Sequence, residues 1–264
     1  MASLPCARTQ AEGATLNMNA TLKCDRSIIV PCYNEGQNLP ALVDRFARLW
    51  RPGDSWELVV VDNGSVDETS RVLASEIARG GREFVRVVTV PSPNVGYGHG
   101  IITGLRAASG KYLAWTHADG QTPPADALKA LDLLAAADNP EKTFVKGRRR
   151  GRPLKDRLFT RGMDVAATSI LGLLLTDINA QPKAFARPLL EFATFPPHDM
   201  SLDLYFYWLA RQRGFQIVTF DVDFGVREHG ESKWALNWRS TGRNIWRTLT
   251  FMTALRSDRA RRSS

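Results

Sequence analysis

The chain contains 264 residues, of which 44% are hydrophobic and 23% are charged. This composition excludes an intrinsically disordered protein and accommodates one domain with a large core or two small ones. The formal net charge of +8 and the isoelectric point near 9.7 favour an anionic partner, such as a nucleic acid, a phosphate-bearing ligand or a membrane surface. The three cysteines lack the spacing of a metal site or a disulfide framework. No apolar run is long enough for a signal peptide or a transmembrane helix, so we expect a cytoplasmic protein.

Residues 1–26 are polar and small, and we expect them to form a flexible tail. From Ser27 onward, short apolar runs alternate with segments of helical length. The apolar runs predict four strands, over residues 27–30, 56–61, 85–90 and 112–116. Helices are predicted over residues 38–49, 67–79 and 101–108. Pro31 is expected to end the first strand.

Strands that alternate with helices in this way pair in parallel through right-handed crossovers. We therefore predict an α/β fold with a mostly parallel sheet and helices on both faces. The loops at residues 31–36, 62–65 and 116–121 would then meet at one edge of the sheet. Ligands bind at that edge in folds of this kind.

The second half of the chain is less regular. Residues 146–157 contain seven Lys and Arg residues and are predicted to form a basic loop. The other predicted elements are an apolar helix over residues 164–175, an aromatic-rich helix over 201–213, a strand over 216–223, a polar loop over 224–233 and a terminal helix over about 236–255.

The fourth predicted strand ends at the segment His117-Ala118-Asp119-Gly120-Gln121. A carboxylate at such a strand end can hold a divalent cation against a diphosphate, provided that the loop or the substrate supplies the other ligands. The alternative is that Asp119 caps the following helix. The residues of this segment alone leave both interpretations open.

The glycine-rich segment 94–100 does not fit a dinucleotide-binding motif. Ile101 stands three residues after Gly98, and the segment follows the third strand instead of the first. We interpret it as a loop of close backbone approach at the start of a helix. After the first strand, Tyr33 could stack on a base and Glu35 could accept hydrogen bonds from a base or ribose. The alternative is that Asn34 and Glu35 are only turn and helix-start residues.

Five segments follow one another in the order typical of a known family. They are Val30–Glu35, Val60–Thr69, Asn94–Gly98, Ala118–Gln121 and Arg227–Lys233. The chain thereby resembles the family 2 glycosyltransferases, and specifically the dolichyl-phosphate-mannose-synthase-like group that acts on polyprenyl phosphates. The resemblance implies a nucleotide-sugar-binding fold of the GT-A type and a catalytic domain over residues 27–235. It also implies inverting transfer of a hexose from a nucleotide-sugar to a polyprenyl phosphate, assisted by Mn²⁺ or Mg²⁺.

The resemblance also implies roles for individual residues. The donor-binding residues would be Pro31, Tyr33, Glu35, Val61, Asp62, Asn63, Ala118 and Gln121. The metal would be held by Asp119, Gln121 and His117. Asp119 would also act in catalysis, together with Arg149 at the donor phosphate and with Arg227 and Lys233 at the lipid phosphate or the leaving diphosphate.

The sequence departs from the family pattern at three places. Asn63 stands where the family has an acid, and an amide can donate or accept a hydrogen bond, so the identity of the base is open. His117 replaces the first acid of the metal motif, and imidazole suits Mn²⁺ better than Mg²⁺. Pro182 and Lys183 replace part of a glycine-aromatic turn near the sugar or acceptor pocket.

The acceptor decides whether a general base is needed. A phosphate acceptor is already ionised at neutral pH, whereas a saccharide or protein hydroxyl would need a base, for which Asp199 and Asp203 are the candidates. The alternative role for both is to cap the aromatic-rich helix. Two other functions therefore stay open, which are transfer to a hydroxyl group and binding of a nucleotide-sugar or lipid phosphate without catalysis.

The C-terminal segment, residues 236–264, is expected to form a basic amphipathic helix and tail. Arg239, Arg243 and Arg247 recur every four residues and share one helical face, close to several tryptophans. Such a helix fits the surface of an anionic membrane and would hold the enzyme peripherally at the cytoplasmic face. The alternative is that the helix packs its tryptophans on the domain. No nucleic-acid-binding motif is recognised, so nucleic acid is not an expected partner.

Overall fold

The structure, a computed structural model, describes residues 24–223, 225 and 238–263. Its strands are β1 (Arg26–Cys32), β2 (Trp56–Asn63), β3 (Val85–Val90), β4 (Tyr112–Trp115), β5 (Thr143–Arg150), β6 (Lys183–Ala186) and β7 (Gln216–Asp223). Its α-helices are α1 (Leu39–Leu49), α2 (Thr69–Ala78), α3 (Tyr97–Ala107), α4 (Pro124–Ala135), α5 (Leu154–Leu171), α6 (Pro188–Glu191), α7 (Leu202–Gln212) and α8 (Trp238–Ser263).

The strands form one mixed sheet in the order β3-β2-β1-β4-β6-β5-β7. The first four strands are mutually parallel, as predicted. The short strand β6 is antiparallel to both of its neighbours, β4 and β5, while β5 and β7 are parallel to each other. Two reversals restore the original direction, so β5 and β7 end at the same edge of the sheet as β1, β2 and β4.

Helices cover both faces of the sheet, as predicted. Along β1, Ile29 faces one hydrophobic cluster and Ile28 and Val30 face the other, because successive side chains of a strand point to opposite faces. The cluster around Ile29 is closed by α3, α5, α7 and α8. The cluster around Ile28 is closed by α1, α2 and α4. The predicted mostly parallel α/β sheet is therefore confirmed.

Pro31 does not end the first strand, contrary to the prediction. It pairs with Val61 inside β1, which continues to Cys32. The carbonyl of Ile29 accepts a hydrogen bond from the backbone N–H of Thr116, so Ile29 and the alternate residue Pro31 face the β4 side of the strand. β4 ends at Trp115, before the level of Pro31, so a backbone N–H at this position would face no neighbouring strand. The missing N–H of proline therefore costs no hydrogen bond of the sheet here.

Two predictions for charged or glycine-rich segments were wrong. The segment 146–157 is not a basic loop, because its first part lies in β5 and its last part in α5, which begins ten residues before the predicted helix. Helix α3 begins at Tyr97 instead of residue 101. Its first turn contains glycines because a Cβ at Gly98 would lie 2.3 Å from the carbonyl oxygen of Pro197.

The terminal helix α8 packs on the domain through Met252 and Leu255, which are buried, and exposes Trp246. Among residues 24–223, 225 and 238–263, no helix combines the length and the apolar character needed to cross a bilayer. The predicted polar loop at residues 224–233 lies outside the described part of the chain, apart from Gly225.

Two lysines are buried in the sheet next to each other, Lys146 on β5 and Lys183 on β6. The Lys183 ammonium group donates hydrogen bonds to a carboxylate oxygen of Asp203 at 2.5 Å and to the carbonyl of Ala180 at 3.0 Å. The Lys146 ammonium group donates to the carbonyls of Gly147 at 2.9 Å and Thr176 at 3.0 Å. Burial, with the charge of Lys183, lowers the pKa of Lys146 to about 7.

The contact of α3 with the sheet predicts the effect of one substitution. In Gly104→Ala, the new Cβ would lie 2.5 Å from Ile29 Cγ2 and 2.7 Å from Val61 Cγ2. We expect overpacking of about 1–3 kcal/mol to outweigh the roughly 1 kcal/mol gained from the higher helix propensity of alanine. The matched control is Gly162→Ala in α5, where no atom lies within 4 Å and the free energy of unfolding should rise. Urea denaturation measures both, and a Gly104→Ala protein as stable as the wild type would contradict the packing argument.

The buried Lys146 predicts a pH dependence of stability. Its pKa is depressed to about 7 in the folded protein, so above that pH the unfolded chain binds more protons than the folded one and stability rises with pH. Between pH 6 and 8.5 we expect a gain of up to about 2 kcal/mol in the free energy of unfolding. In Lys146→Met the gain should be smaller, whatever the absolute stability. Equal pH slopes for the two proteins in urea denaturation would contradict this assignment.

Candidate functional site

The loops that follow β1, β2 and β4 meet at one edge of the sheet, as the topology predicts. The backbone N–H of Asn34 donates a hydrogen bond to the Ser65 hydroxyl at 3.1 Å, and the N–H of Val66 donates to the Asn34 side-chain oxygen at 3.0 Å. The bond from the Thr116 N–H to the Ile29 carbonyl, 3.0 Å long, holds the exit of β4 beside β1.

A cleft of about 410 Å³ opens at this edge, within the size range of small-molecule sites. It lies between the ends of β4, β5 and β7 and is lined by Arg45, Gly120, Gln121, Pro123, Pro124, Arg150, Gly151, Asp223 and Gly225. Gln121, which follows β4, is hydrogen-bonded to Gly225, which follows β7, and so connects two sides of the cleft. The Gln121 carbonyl accepts a hydrogen bond from the Gly225 N–H at 3.0 Å, and the Gln121 amide donates to the Gly225 carbonyl at 3.1 Å.

Asp119 lies directly beside this cleft and is buried, with 6% of its surface exposed. One of its carboxylate oxygens accepts a hydrogen bond from the Gln121 N–H at 3.1 Å, which shapes the turn after β4. His117, two residues earlier, stacks on the ring of Tyr97 at a centroid distance of 5.6 Å and an interplanar angle of 27°.

The donor set at this edge fits a cation that is shared with a substrate. In the described residues, no three His, Cys, Asp or Glu side chains form a group that could hold a metal ion without other ligands. Mg²⁺ commonly binds through one or two carboxylates and the phosphates of a substrate, and Asp119 can contribute such a carboxylate. Gln121 could contribute its side-chain oxygen, because its contact with the Gly225 carbonyl engages the amide nitrogen and not the oxygen.

The residues predicted to contact the nucleoside lie at the ends of β1 and β2, and several are held within the protein. Pro31 and Tyr33 are half-buried. The Glu35 carboxylate accepts a hydrogen bond from the Asn38 amide at 2.5 Å, and the Glu35 carbonyl accepts one from the Asn38 N–H at 2.9 Å. This is the helix-start arrangement that was the alternative interpretation of Glu35.

Asp62 and Asn63 at the end of β2 are almost completely buried. The Asp62 carboxylate accepts hydrogen bonds from the Ser65 N–H at 3.1 Å and from the Ser70 hydroxyl, so both of its oxygens organise the loop and the start of α2. The Asn63 amide nitrogen donates to the Gly96 carbonyl at 2.8 Å, while its side-chain oxygen has no hydrogen-bond partner among the described residues. One of the two N–H groups of the Asn63 amide is therefore engaged, while its side-chain oxygen has no partner among the described residues.

Val61 and Ala118, two of the predicted donor-binding residues, have side chains that lie in the core. Val61 is fully buried in the cluster that α3 covers, and Ala118 is 4% exposed in the opposite cluster. Any contact from these two positions to a ligand would have to come from the backbone.

Arg149 at the end of β5 is paired with Asp177. Its backbone N–H donates to one carboxylate oxygen at 2.8 Å, and its guanidinium group donates to the other oxygen, also at 2.8 Å from Nε. Asp177 adopts a φ of +45° and is held there by the Asp164 carboxylate, which accepts the Asp177 N–H at 2.8 Å. Burial raises the pKa of Asp177, but the Arg149 hydrogen bonds and charge outweigh it and lower the pKa overall.

The two carboxylates proposed as bases for a hydroxyl acceptor have other partners. Asp203 is fully buried, and one of its oxygens accepts hydrogen bonds from Lys183 at 2.5 Å, Gln181 at 2.6 Å and the Trp115 indole at 3.2 Å. Asp199 accepts the Ser201 N–H at 2.9 Å, immediately before α7. Asp199 therefore shapes the turn before α7 without capping it, since Ser201 is the N-cap residue and the helix has no side-chain cap, whereas Asp203 is a buried ion-pair partner.

Arg227 and Lys233 lie outside the described residues. The sequence did not predict that Tyr97, Gln181 and Lys183 meet at Asp203 behind the β4 exit, although Lys183 was noted as a departure from the family pattern. For Lys183, the sequence does contain a clue. It begins the otherwise apolar run Lys183–Ala186, and a charged residue buried in such a strand needs a partner. The partner itself stands 20 residues further along the chain, and nothing local identifies it.

Comparison with known proteins places this site in a family. Residues 27–202 match the family Glycosyl transferase family 2. The chain is 30% identical over 217 residues to polyprenol monophosphomannose synthase of Mycolicibacterium smegmatis, covering 78% of this chain and 79% of that protein. It is 25% identical over 210 residues to undecaprenyl-phosphate 4-deoxy-4-formamido-L-arabinose transferase of Pectobacterium carotovorum, covering 79% of this chain and only 62% of that longer protein.

Solved structures share the fold at lower identity. Glucosyl-3-phosphoglycerate synthase of Mycobacterium tuberculosis aligns with a TM-score of 0.68 at 22% identity, covering 88% of this chain and 80% of that one. A mannosyltransferase of Pyrobaculum calidifontis, solved with GDP-mannose and Mn²⁺, aligns with a TM-score of 0.59 at 24% identity, covering 82% of this chain and 61% of that one. The GT-A type of fold and the glycosyltransferase class expected from the resemblance are thus confirmed, and the chain belongs to glycosyl transferase family 2.

Proposed function

We propose that this chain moves a sugar from a nucleotide-sugar, with inversion at the anomeric carbon, to a polyprenyl phosphate. The relatives named for transfer to undecaprenyl phosphate and for polyprenol monophosphomannose synthesis support this acceptor class. The convergence of the loops after β1, β2 and β4 beside a cleft supports the binding of a donor at that edge of the sheet.

Asp119 would hold a divalent cation, Mn²⁺ or Mg²⁺, together with the donor diphosphate, and His117 and Gln121 are the other candidate ligands. When bound, the cation would neutralise the charge that develops on the leaving diphosphate. Arg149, kept in place by Asp177, would add positive charge at the donor phosphate. Tyr33 and the free acceptor oxygen of Asn63 would orient the nucleoside, which favours a base that presents an N–H donor.

The state of Asp203 is the observation that carries the choice of a phosphate acceptor. A hydroxyl acceptor needs a general base, but Asp203 is buried against Lys183, and Asp199 accepts a backbone N–H at the start of α7. A phosphate acceptor is already ionised and needs no base. Arg227 and Lys233 would bind that phosphate, in keeping with their positions in the family pattern.

Binding to an anionic membrane surface at the cytoplasmic face is part of the same proposal. Helix α5 exposes Leu154, Leu158 and Val165 by 67%, 58% and 66%, and these three share one helical face. Lys155, Arg157 and Arg161 flank that face. Helix α8 lies against α5 and exposes Trp246 between Arg243 and Arg247, so both helices carry the apolar and basic residues of an interfacial surface.

A transfer assay tests the donor and acceptor classes. Purified protein with Mn²⁺ and a matched nucleotide-sugar should glycosylate a polyprenyl phosphate, and Asp119→Ala should lower kcat by about 100-fold or more, because charge stabilisation at the diphosphate is lost. The control Asp138→Ala removes an exposed carboxylate beyond α4 and should leave transfer unchanged.

Other results of this assay would contradict parts of the proposal. Unchanged transfer in Asp119→Ala would exclude that residue as the metal ligand. Transfer to a saccharide or protein hydroxyl instead of the lipid phosphate would replace the acceptor class. Binding of the nucleotide-sugar, seen as a thermal shift, without transfer to any acceptor would show a binding protein that is not an enzyme.

Vesicle sedimentation tests the membrane surface. The protein should bind vesicles that contain phosphatidylglycerol, and binding should weaken with added salt because the attraction to anionic lipid is screened. The double variant Leu154→Ser and Leu158→Ser should bind at least about tenfold more weakly, since two apolar side chains no longer enter the interface. The control Phe195→Ser changes another exposed apolar residue, outside α5 and α8, and should bind normally. Equal binding of all three proteins would contradict the assignment.

A further inference from the structure

We propose that Tyr97 is a positioning residue for His117, and that it fixes the imidazole as a ligand for the divalent cation at the β4 exit. The inference rests on the proposed function, because it concerns the cation that Asp119 would share with the donor diphosphate. It goes beyond the family pattern, in which an acid stands at the position of His117 and no aromatic partner is implied.

The backbone of Tyr97 is fixed at the first turn of α3. The His198 carbonyl accepts hydrogen bonds from the N–H groups of Gly98 at 2.8 Å and His99 at 3.2 Å. A Cβ at Gly96 would lie 2.3 Å from the same carbonyl oxygen, so the segment before α7 packs directly on the backbone on either side of Tyr97. The starting point of the tyrosine side chain is therefore determined by contacts that do not involve its ring.

The far end of the Tyr97 side chain is fixed by the buried polar group around Asp203. The Gln181 amide donates a hydrogen bond to the Tyr97 hydroxyl at 3.1 Å and another to the Asp203 carboxylate at 2.6 Å. The Tyr97 hydroxyl is thereby held beside the Asp203 carboxylate through the shared Gln181 amide.

Between these two fixed ends, the ring of Tyr97 stacks against the ring of His117. The stack is offset, with a centroid distance of 5.6 Å and an interplanar angle of 27°. An offset stack leaves the edge of an imidazole, which carries both ring nitrogens, available for other partners. Metal-binding histidines are normally oriented by a hydrogen bond from the second ring nitrogen, and here the stacked ring limits the rotation of the side chain instead.

The position of His117 explains why the orientation of its ring matters for cation binding. His117 stands two residues before Asp119 on the same turn, where the family has the first acid of its metal motif. Imidazole nitrogen is a good ligand for Mn²⁺ but offers a lone pair in only one direction, so its plane must be set. A carboxylate at this position would have two oxygens to offer and would depend less on a neighbouring ring.

Mn²⁺ binding in the presence of UDP or GDP tests the inference on the full chain, with free Mn²⁺ measured by electron paramagnetic resonance. Tyr97→Leu should weaken Mn²⁺ binding about 5- to 10-fold, and His117→Ala by at least as much. The double variant should bind no more weakly than His117→Ala, because Tyr97 acts through His117. In a His117→Asp background, Tyr97→Leu should have no effect.

Two further variants keep the test decisive. Tyr112→Leu changes a half-buried tyrosine at the opposite end of β4 and should bind Mn²⁺ like the wild type. Should Tyr97→Leu unfold, Tyr97→Phe keeps the ring and removes only the hydroxyl. It should weaken Mn²⁺ binding about 2- to 5-fold, and again only where His117 is present.

Other outcomes overturn the inference, and they can be told apart. Unchanged Mn²⁺ binding in Tyr97→Leu, or equal losses in the wild-type and His117→Asp backgrounds, would leave Tyr97 with a structural role alone. A wild-type protein that binds the nucleotide but no Mn²⁺ would overturn the inference and the metal assignment, while sugar transfer itself could still be measured. A wild-type protein that binds neither would overturn the proposed function as well.

Discussion

The buried carboxylate of Asp203 is the contact on which the arrangement of the site depends. It joins α7 to β4 through the Trp115 indole, to β6 through Lys183 and to the preceding loop through Gln181. Removing one member of a buried ion pair commonly costs about 3–5 kcal/mol, because the remaining charge has no compensation. The pair therefore ties the exit of β4, where Asp119 and His117 follow, to a helix on the other side of the core.

The antiparallel strand β6 explains why residues from distant parts of the chain lie at one edge of the sheet. Because β6 is antiparallel to both β4 and β5, the strands β5 and β7 end at the same edge of the sheet as β4, and Arg150 and Asp223 line the same cleft as Gly120. The parallel half of the sheet contributes the loops assigned to the nucleoside. The mixed half contributes Arg149 and the residue Gly225, from which the chain continues toward Arg227 and Lys233.

The sequence predicted the parallel half of the fold well, because strands buried on both faces are continuous apolar runs. The prediction failed where charged residues lie inside the sheet. Lys146 was assigned to a loop and Lys183 to a turn, although both lie in strands. Thr176, which accepts from Lys146, and Asp203, which pairs with Lys183, lie 30 and 20 residues away, and no local pattern identifies them. The meeting of the loops after β1, β2 and β4 at one edge was predicted from the order of the elements, whereas the partners of Asp203 became visible only in the structure.

The first turn of α3 is already hydrogen-bonded to the His198 carbonyl, and this affects how the site can stabilise negative charge. The N-terminus of a helix attracts phosphate groups through its free N–H groups and the positive end of its dipole. Here the His198 carbonyl occupies the N–H groups of Gly98 and His99, and its own partial negative charge offsets that dipole. A diphosphate at this edge would therefore gain little from α3, so other groups around the cleft, such as side chains and a bound cation, would carry more of its stabilisation.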